Sequence, residues 1–209
     1  MDLEIPLFPL NIVAYPGELV NLHIFEPRYK DLVRDCLDTD QHFGIPAYNG
    51  KTMSHGTEMM IIKVEKVYPD GRMDIRSRGL RVFEIQDFYD PWRDNSYAGG
   101  RVSVLENDMD SRSDTAEKVL KLSKELFQWL NMNEKFKIDS DSISYSVAHK
   151  IGFKLDEELK VLKTLSEHER QLLIIKHLEK LLPALERAEQ ARERIMMNGH
   201  FRHLVPPSF

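Results

Sequence analysis

The chain has 209 residues, 42% of them hydrophobic and 30% charged, a balance that suits a soluble protein of one large domain or two small ones. A formal charge of −5 gives no overall basic field for nucleic acid, and a single cysteine excludes an internal disulfide framework. No apolar run approaches the roughly twenty residues of a membrane span, and the opening Met-Asp-Leu-Glu is acidic where a signal peptide is basic, so a cytoplasmic protein is expected.

Residues 5–25 carry short apolar runs broken by Pro6, Pro9, Pro16 and Gly17, the pattern of strands separated by fixed turns. After Glu26 the pattern becomes helical. Pro27 suits the first helical position, where its missing N–H is no loss, and Tyr29, Leu32, Val33, Cys36 and Leu37 fall on one face. That face, Cys36 included, reads as core, and Glu26 sets a carboxylate where the helix dipole favours one.

A strand is predicted within residues 43–48, among loops. The neighbouring run from Gly44 to Thr52 imitates a phosphate-binding G-x-x-x-x-G-K-[ST] loop, but five residues separate its glycines instead of four and no helix start follows, so no ATP site is expected. Met60, Ile62 and Val64 then alternate with Ile61, Lys63 and Glu65, the two-residue period of a half-buried strand. Pro69-Asp70-Gly71 is a turn with a mechanism, since Pro fixes φ and Gly takes the positive φ. The return strand sets Met73 and Ile75 on one face and Arg72, Asp74, Arg76 and Arg78 on the other. Gly79 interrupts it, and Val82, Phe83 and Ile85 continue as another strand. A β domain is thereby delimited at residues 1–105.

Residues 106–115, dense in Asp and Ser, are expected to form an exposed linker. Residues 116–198 are expected to form a helical bundle. Val119, Leu122, Leu126, Trp129 and Leu130 make one stripe; Asp141 or Ser142 caps a short helix ending at Gly152; Ser166 and Glu169 box the start of a long helix carrying Ile174, Leu178, Leu181, Leu185, Ala188 and Ile195. Pro183 predicts a kink or break in it. Beyond lies a tail, residues 199–209, whose Phe201, Leu204, Val205 and Phe209 suggest docking on the β domain or on a partner, self-association through this C-terminal arm included, against the bland reading of a frayed terminus.

Three runs arrive in a recognisable order: Pro6-Leu7-Phe8-Pro9-Leu10, Tyr15-Pro16-Gly17-Glu18, and His23-Ile24-Phe25-Glu26-Pro27-Arg28-Tyr29. They resemble the opening of the N-terminal, substrate-binding domain of Lon protease, a domain also seen alone in bacterial proteins and, more distantly, in cereblon. Tyr15 stands where Phe is usual. The glycine-led sequel at residues 79–83, the strand after Tyr97 with Val102 and Val104, and more loosely the helices through Leu185 are also similar. The resemblance implies an α+β protein: a PUA-like β pseudo-barrel with one short helix, followed by a helical bundle. It implies a non-catalytic module that recognises polypeptide segments or partner proteins, without cofactor. Lon's ATPase and Ser-Lys protease modules have no counterpart among these residues.

Chemical motifs agree with a non-enzyme. There is no G-x-S-x-G elbow, H-E-x-x-H or paired-cysteine motif, and the eight histidines are scattered, so no metal site is expected. His200 and His203 read as a solvated tail, and His23 as a packed or surface residue. An apolar groove edged by Phe8, Pro9, Tyr15 and Phe25 is the expected peptide contact, whereas Pro16, Gly17, Glu26, Pro27, Arg28 and Tyr29 are read as framework. The alternative is an RNA-binding PUA-like protein using Arg72, Arg76, Arg78 and Arg81, although the same residues suit a solvated hairpin face neutralised by Asp74 and Glu84. A hydrolase with a polar cluster in a cleft is the third reading.

Overall fold

The computed structural model describes residues 1–48, 50, 53–132 and 142–199, with side chains to residue 196. Residues 200–209 lie outside the described set, and with them most of the expected tail, His200 and His203; Asp141 lies outside it too.

Six strands form one mixed sheet: β1 (Asp2–Leu7), β2 (Leu19–Ile24), β3 (Phe43–Pro46), β4 (His55–Val67), β5 (Met73–Tyr89) and β6 (Ala98–Leu105). The order is β2-β5-β4-β3-β1-β6, and β5 also pairs with β6, so five strands close into a ring while β2 extends its edge. Every pairing is antiparallel except β1 with β3. Closure depends on β5, whose 17 residues serve β2 and β4 with one end and β6 with the other.

Helix α1 (Pro27–Thr39) buries Tyr29, Leu32, Val33 and Cys36 against Phe43, Ile45, Met59 and Ile75, but Leu37, expected on the same face, lies in the last turn and is 48% exposed. Burial pushes the Cys36 thiol up to about 12, which marks it as packing and not chemistry. The Glu26 carboxylate does not cap the helix; it takes the Arg28 Nε–H at 3.0 Å instead.

Two strand expectations are corrected. The alternation of Met60, Ile62 and Val64 fails because β4 carries bulges against β5, between Ile61 and Lys63 and again between Val64 and Lys66. Each bulge adds a residue and shifts the phase, so Met59, Ile61 and Val64 face the core and Ile62 is 45% exposed. Nor does Gly79 end a strand. It lies inside β5, where the turn at residues 15–18 crosses it: the Gly17 N–H donates to the Gly79 carbonyl and the Gly79 N–H to the Glu18 carbonyl, both at 2.9 Å. A Cβ at position 79 would sit 2.2 Å from the Tyr15 carbonyl oxygen, so only glycine admits this crossing.

The helical part holds α2 (Ser113–Trp129), α3 (Ile143–Ala148), α4 (Leu155–Lys163) and α5 (Glu167–Gly199). Ser142 caps α3 by accepting the Tyr145 N–H, and Gly152 follows with positive φ. Helix α5 runs unbroken through Pro183. The proline is exposed, so the Glu179 carbonyl deprived of its donor is left to solvent and no break is forced. Its apolar stripe packs only as far as Leu185; Ile195 is exposed.

Residues 106–115 are largely exposed, yet they are not a free linker. Asp108 exchanges backbone hydrogen bonds with Leu165 and Glu167, Asp110 accepts from the Ser166 hydroxyl and the His168 N–H, and α2 already starts at Ser113. Strands and helices also share a core, with Val13, Tyr15, Ala47 and Val82 packed against Tyr145, Ala148, Leu159, Val161 and Leu162.

Candidate functional site

The end of β1 and the start of α1 meet where the Phe8 ring lies on Tyr29, centroids 3.9 Å apart. Beside this contact is a groove of about 260 Å³ lined by Pro9, Arg28, Tyr29, Tyr48, Met53, Phe88, Asp90 and Ala98. Tyr48 and Phe88 remain 40% and 36% exposed, so the groove presents two aromatic side chains side by side to a ligand. The Arg28 guanidinium lies 4.6 Å above the Tyr29 ring and pairs with Glu26, both partners being partly open to solvent, so the pair orients more than it stabilises. Burial raises the Tyr29 phenol against the pull of the Arg28 cation. An apolar, aromatic floor with one cation and one carboxylate at its rim suits an apolar side chain flanked by backbone polar groups.

Of the four expected contact residues, only Pro9 lines this groove. Phe8 is buried beneath Tyr29. Tyr15 is fully buried elsewhere, stacked on Tyr145 at 5.0 Å and tilted against His149 at 4.6 Å, with its hydroxyl donating to the Glu158 carbonyl at 3.0 Å. Phe25 is 59% exposed beside His23. The expectation of one groove from these four is thus corrected, because the turn at Pro16-Gly17 turns Tyr15 towards the helices. Arg28 and Tyr29, read as framework, do reach the groove. Tyr48, Met53 and Phe88 escape sequence reasoning, coming from a loop and a strand end that carry no motif.

The four arginines do not form an uncompensated basic surface. Arg72 pairs with Asp70 at 2.7 Å, Arg76 with Glu65 at 3.0 Å, and Arg81 makes a fork of two bonds to buried Glu58 at 2.7 and 3.0 Å; Arg78 is exposed. The neutralising acids differ from those expected. Asp74 is occupied by His23 and Tyr68, and Glu84 accepts from Gln86. Burial pushes the Glu58 carboxyl up, but Arg81 and His42 outweigh it and hold it below its ordinary value.

A second cleft, about 340 Å³, lies where the turn of Pro16, Gly17 and Glu18 faces Ser142, Ser146, His149 and Lys150. His149 bridges the two parts of the chain: Nδ1 is 2.9 Å from Glu158 and Nε2 3.1 Å from Glu18. Burial opposes its charge, yet the hydrogen bonds and charges of the two carboxylates win and raise its pKa to about 9. With both ring nitrogens donating, this imidazolium has no lone pair with which to activate a hydroxyl. Among the described residues no group of three or more His, Cys, Asp or Glu is placed to hold a metal ion, and no helix is long and apolar enough to cross a membrane.

A closed ring of strands with an inserted helix, joined through a shared core to a helical bundle, is the fold of Lon N-terminal domains. The crystal structure of a Lon N-terminal domain protein from Xanthomonas campestris matches 87% of this chain and 98% of its own with a TM-score of 0.63 and 32% identity. The N-terminal domain of a Mycobacterium avium complex Lon protease matches in fold at 14% identity, with a TM-score of 0.62 over 84% of this chain and 98% of that one. The family model for the ATP-dependent protease La (LON) substrate-binding domain covers residues 4–180, and the chain belongs to that family. A LON peptidase N-terminal domain and RING finger protein of Schizosaccharomyces pombe is 33% identical over 104 residues, 40% of this chain; the match spans only 21% of that protein.

Proposed function

We propose that this chain is a non-catalytic module that binds polypeptide segments, seating an apolar side chain in the groove beside Tyr29. The observation that carries the reading is the half-exposed pair Tyr48 and Phe88, set with Met53 and Pro9 around a single Arg28 and Asp90. Membership of a substrate-binding family supports it. The doubly engaged His149 argues against the hydrolase reading, and the acid partners of Arg72, Arg76 and Arg81 against the RNA reading. A cytoplasmic setting belongs to the same proposal, and cell fractionation checks it.

The test is fluorescence anisotropy with a labelled, reduced and carboxymethylated protein that stays unfolded. Tyr48→Ser with Phe88→Ser should weaken binding by about tenfold or more, since exposed aromatics at the centre of an interface dominate its energy. Their melting temperatures should stay near that of the parent. Undiminished binding by the double variant rejects the groove, and tighter binding of single-stranded RNA than of the unfolded protein revives the alternative. We extend the proposal to self-association through the far half of α5, where Ile195 and Met196 stand exposed. Light scattering should then give a multiple of the chain mass that falls to one on truncation after Glu186; a monomer from the outset rejects it.

A further inference from the structure

Between α4 and α5 lies a separate groove of about 200 Å³. Its floor is apolar, made by Phe153, Val161 and Leu173, and its rim carries Glu157 and Lys160 from α4 with Lys176, His177 and Lys180 from α5, so that three lysines face one carboxylate, which lies 3.9 Å from the His177 ring. None of these three ammonium groups has a partner among the described residues, in a chain whose overall charge is −5. The nearby acids are engaged. Glu179 pairs with Lys118 of α2 at 2.6 Å, and Glu157 accepts the Lys154 N–H at 2.8 Å. Lys176 and Lys180 stand four residues apart, where like charges repel along a helix, and a ligand bearing negative charge would relieve that repulsion.

We propose that this groove docks an acidic amphipathic segment of a partner protein, placing an apolar side chain on Phe153 and Leu173 and carboxylates against the three lysines. The charge sign and the apolar floor commit it to that chemistry. Nucleic acid fits poorly, because stacking needs an open aromatic face and the Phe153 ring is tilted onto His177, centroids 4.4 Å apart. The site is distinct from the groove beside Tyr29, with a different charge and a different ligand, so either stands without the other.

The experiment uses the full chain and a fluorescent peptide of leucine and glutamate at helical spacing, beside the same peptide with every glutamate changed to lysine. The glutamate peptide should bind saturably, weaken as sodium chloride rises, and weaken by about tenfold or more in Lys176→Glu with Lys180→Glu. These positions are exposed, so melting should not change; Lys160→Glu on the opposite wall supplies an independent variant with the same expected loss. Tyr48→Ser with Phe88→Ser should leave this binding intact. Equal binding to the charge-reversed variants, equal binding of the lysine peptide, or full competition by single-stranded RNA overturns the proposal.

Discussion

Among the described residues Arg170 is the largest fully buried side chain, and each nitrogen of its guanidinium has an acceptor. Nε donates to the Ser144 hydroxyl at 2.8 Å, Nη2 to Glu167 at 2.8 Å, and Nη1 to Asn107 and to the Thr164 and Leu165 carbonyls at 2.8–3.0 Å, while the guanidinium lies 4.2 Å over the Tyr145 ring. Burial pushes the Glu167 carboxyl up, but hydrogen bonds from Ser144 and the Arg170 charge pull it below its ordinary value. Arg170→Met should therefore cost ~3–5 kcal/mol in urea unfolding, since it leaves a buried carboxylate without its countercharge, and adding Glu167→Gln should recover part of the loss. A cost below about 1 kcal/mol would mean that water replaces the guanidinium. The sequence does not show this pair: a Glu and an Arg three apart on a helix read as solvated charges. Ser166 and Glu169, one residue earlier, were legible, and the Glu169 N–H does donate to the Ser166 hydroxyl at 3.1 Å. Arg28 and Tyr29 were likewise legible through their motif, whereas Tyr48 and Phe88 gain meaning only when β3 and β5 bring them to the same groove.

For whole elements, period revealed existence better than phase. The β4 strand was evident from its alternation, but a bulge is invisible in a hydrophobic pattern and shifts everything beyond it. Met59→Ala should cost ~2–5 kcal/mol, while Ile62→Ser should stay within about 0.5 kcal/mol; the expected face gives no such ordering, and thermal melts of the two variants decide between them. Helix α4 carries too few residues, nine, for a periodicity to show in the sequence, although its charges announce it: Asp156, Glu157 and Glu158 in the first turn and Lys160 and Lys163 in the last complement the helix dipole. The expected stripe of α2 holds at Val119 and Leu126 but not at its end, where Phe127 is buried and Trp129 and Leu130 are left outside. What misled there was the last turn, where a stripe drifts off the face that tertiary contact selects.

Across the whole molecule, the strands and helices are fastened by Tyr15 in the shared core and by His149 between Glu18 and Glu158. Since the folded pKa of His149, about 9, lies above the ordinary 6.5, its contribution is complete below pH 6.5 and is lost as pH rises through 9. The upper limit is about 3 kcal/mol. The parent should melt at a lower temperature above pH 9 than below pH 6.5, and His149→Gln should flatten that slope; Lys150, Tyr15 and Tyr145 face the same junction, so the variant isolates the histidine. An unchanged slope would assign the pH dependence to those neighbours. The place of β1 in the sheet has a consequence for biosynthesis. Held between β3 and β6, it is made before the other five strands and is among the last to be flanked, for Asp2 and Ser103 meet across 101 positions of chain. At roughly 5–20 residues per second, a nascent Ile5 and Leu7 wait on the order of 5–20 s for β6 to be made, an interval in which this apolar strand lacks its neighbour and is open to chaperones.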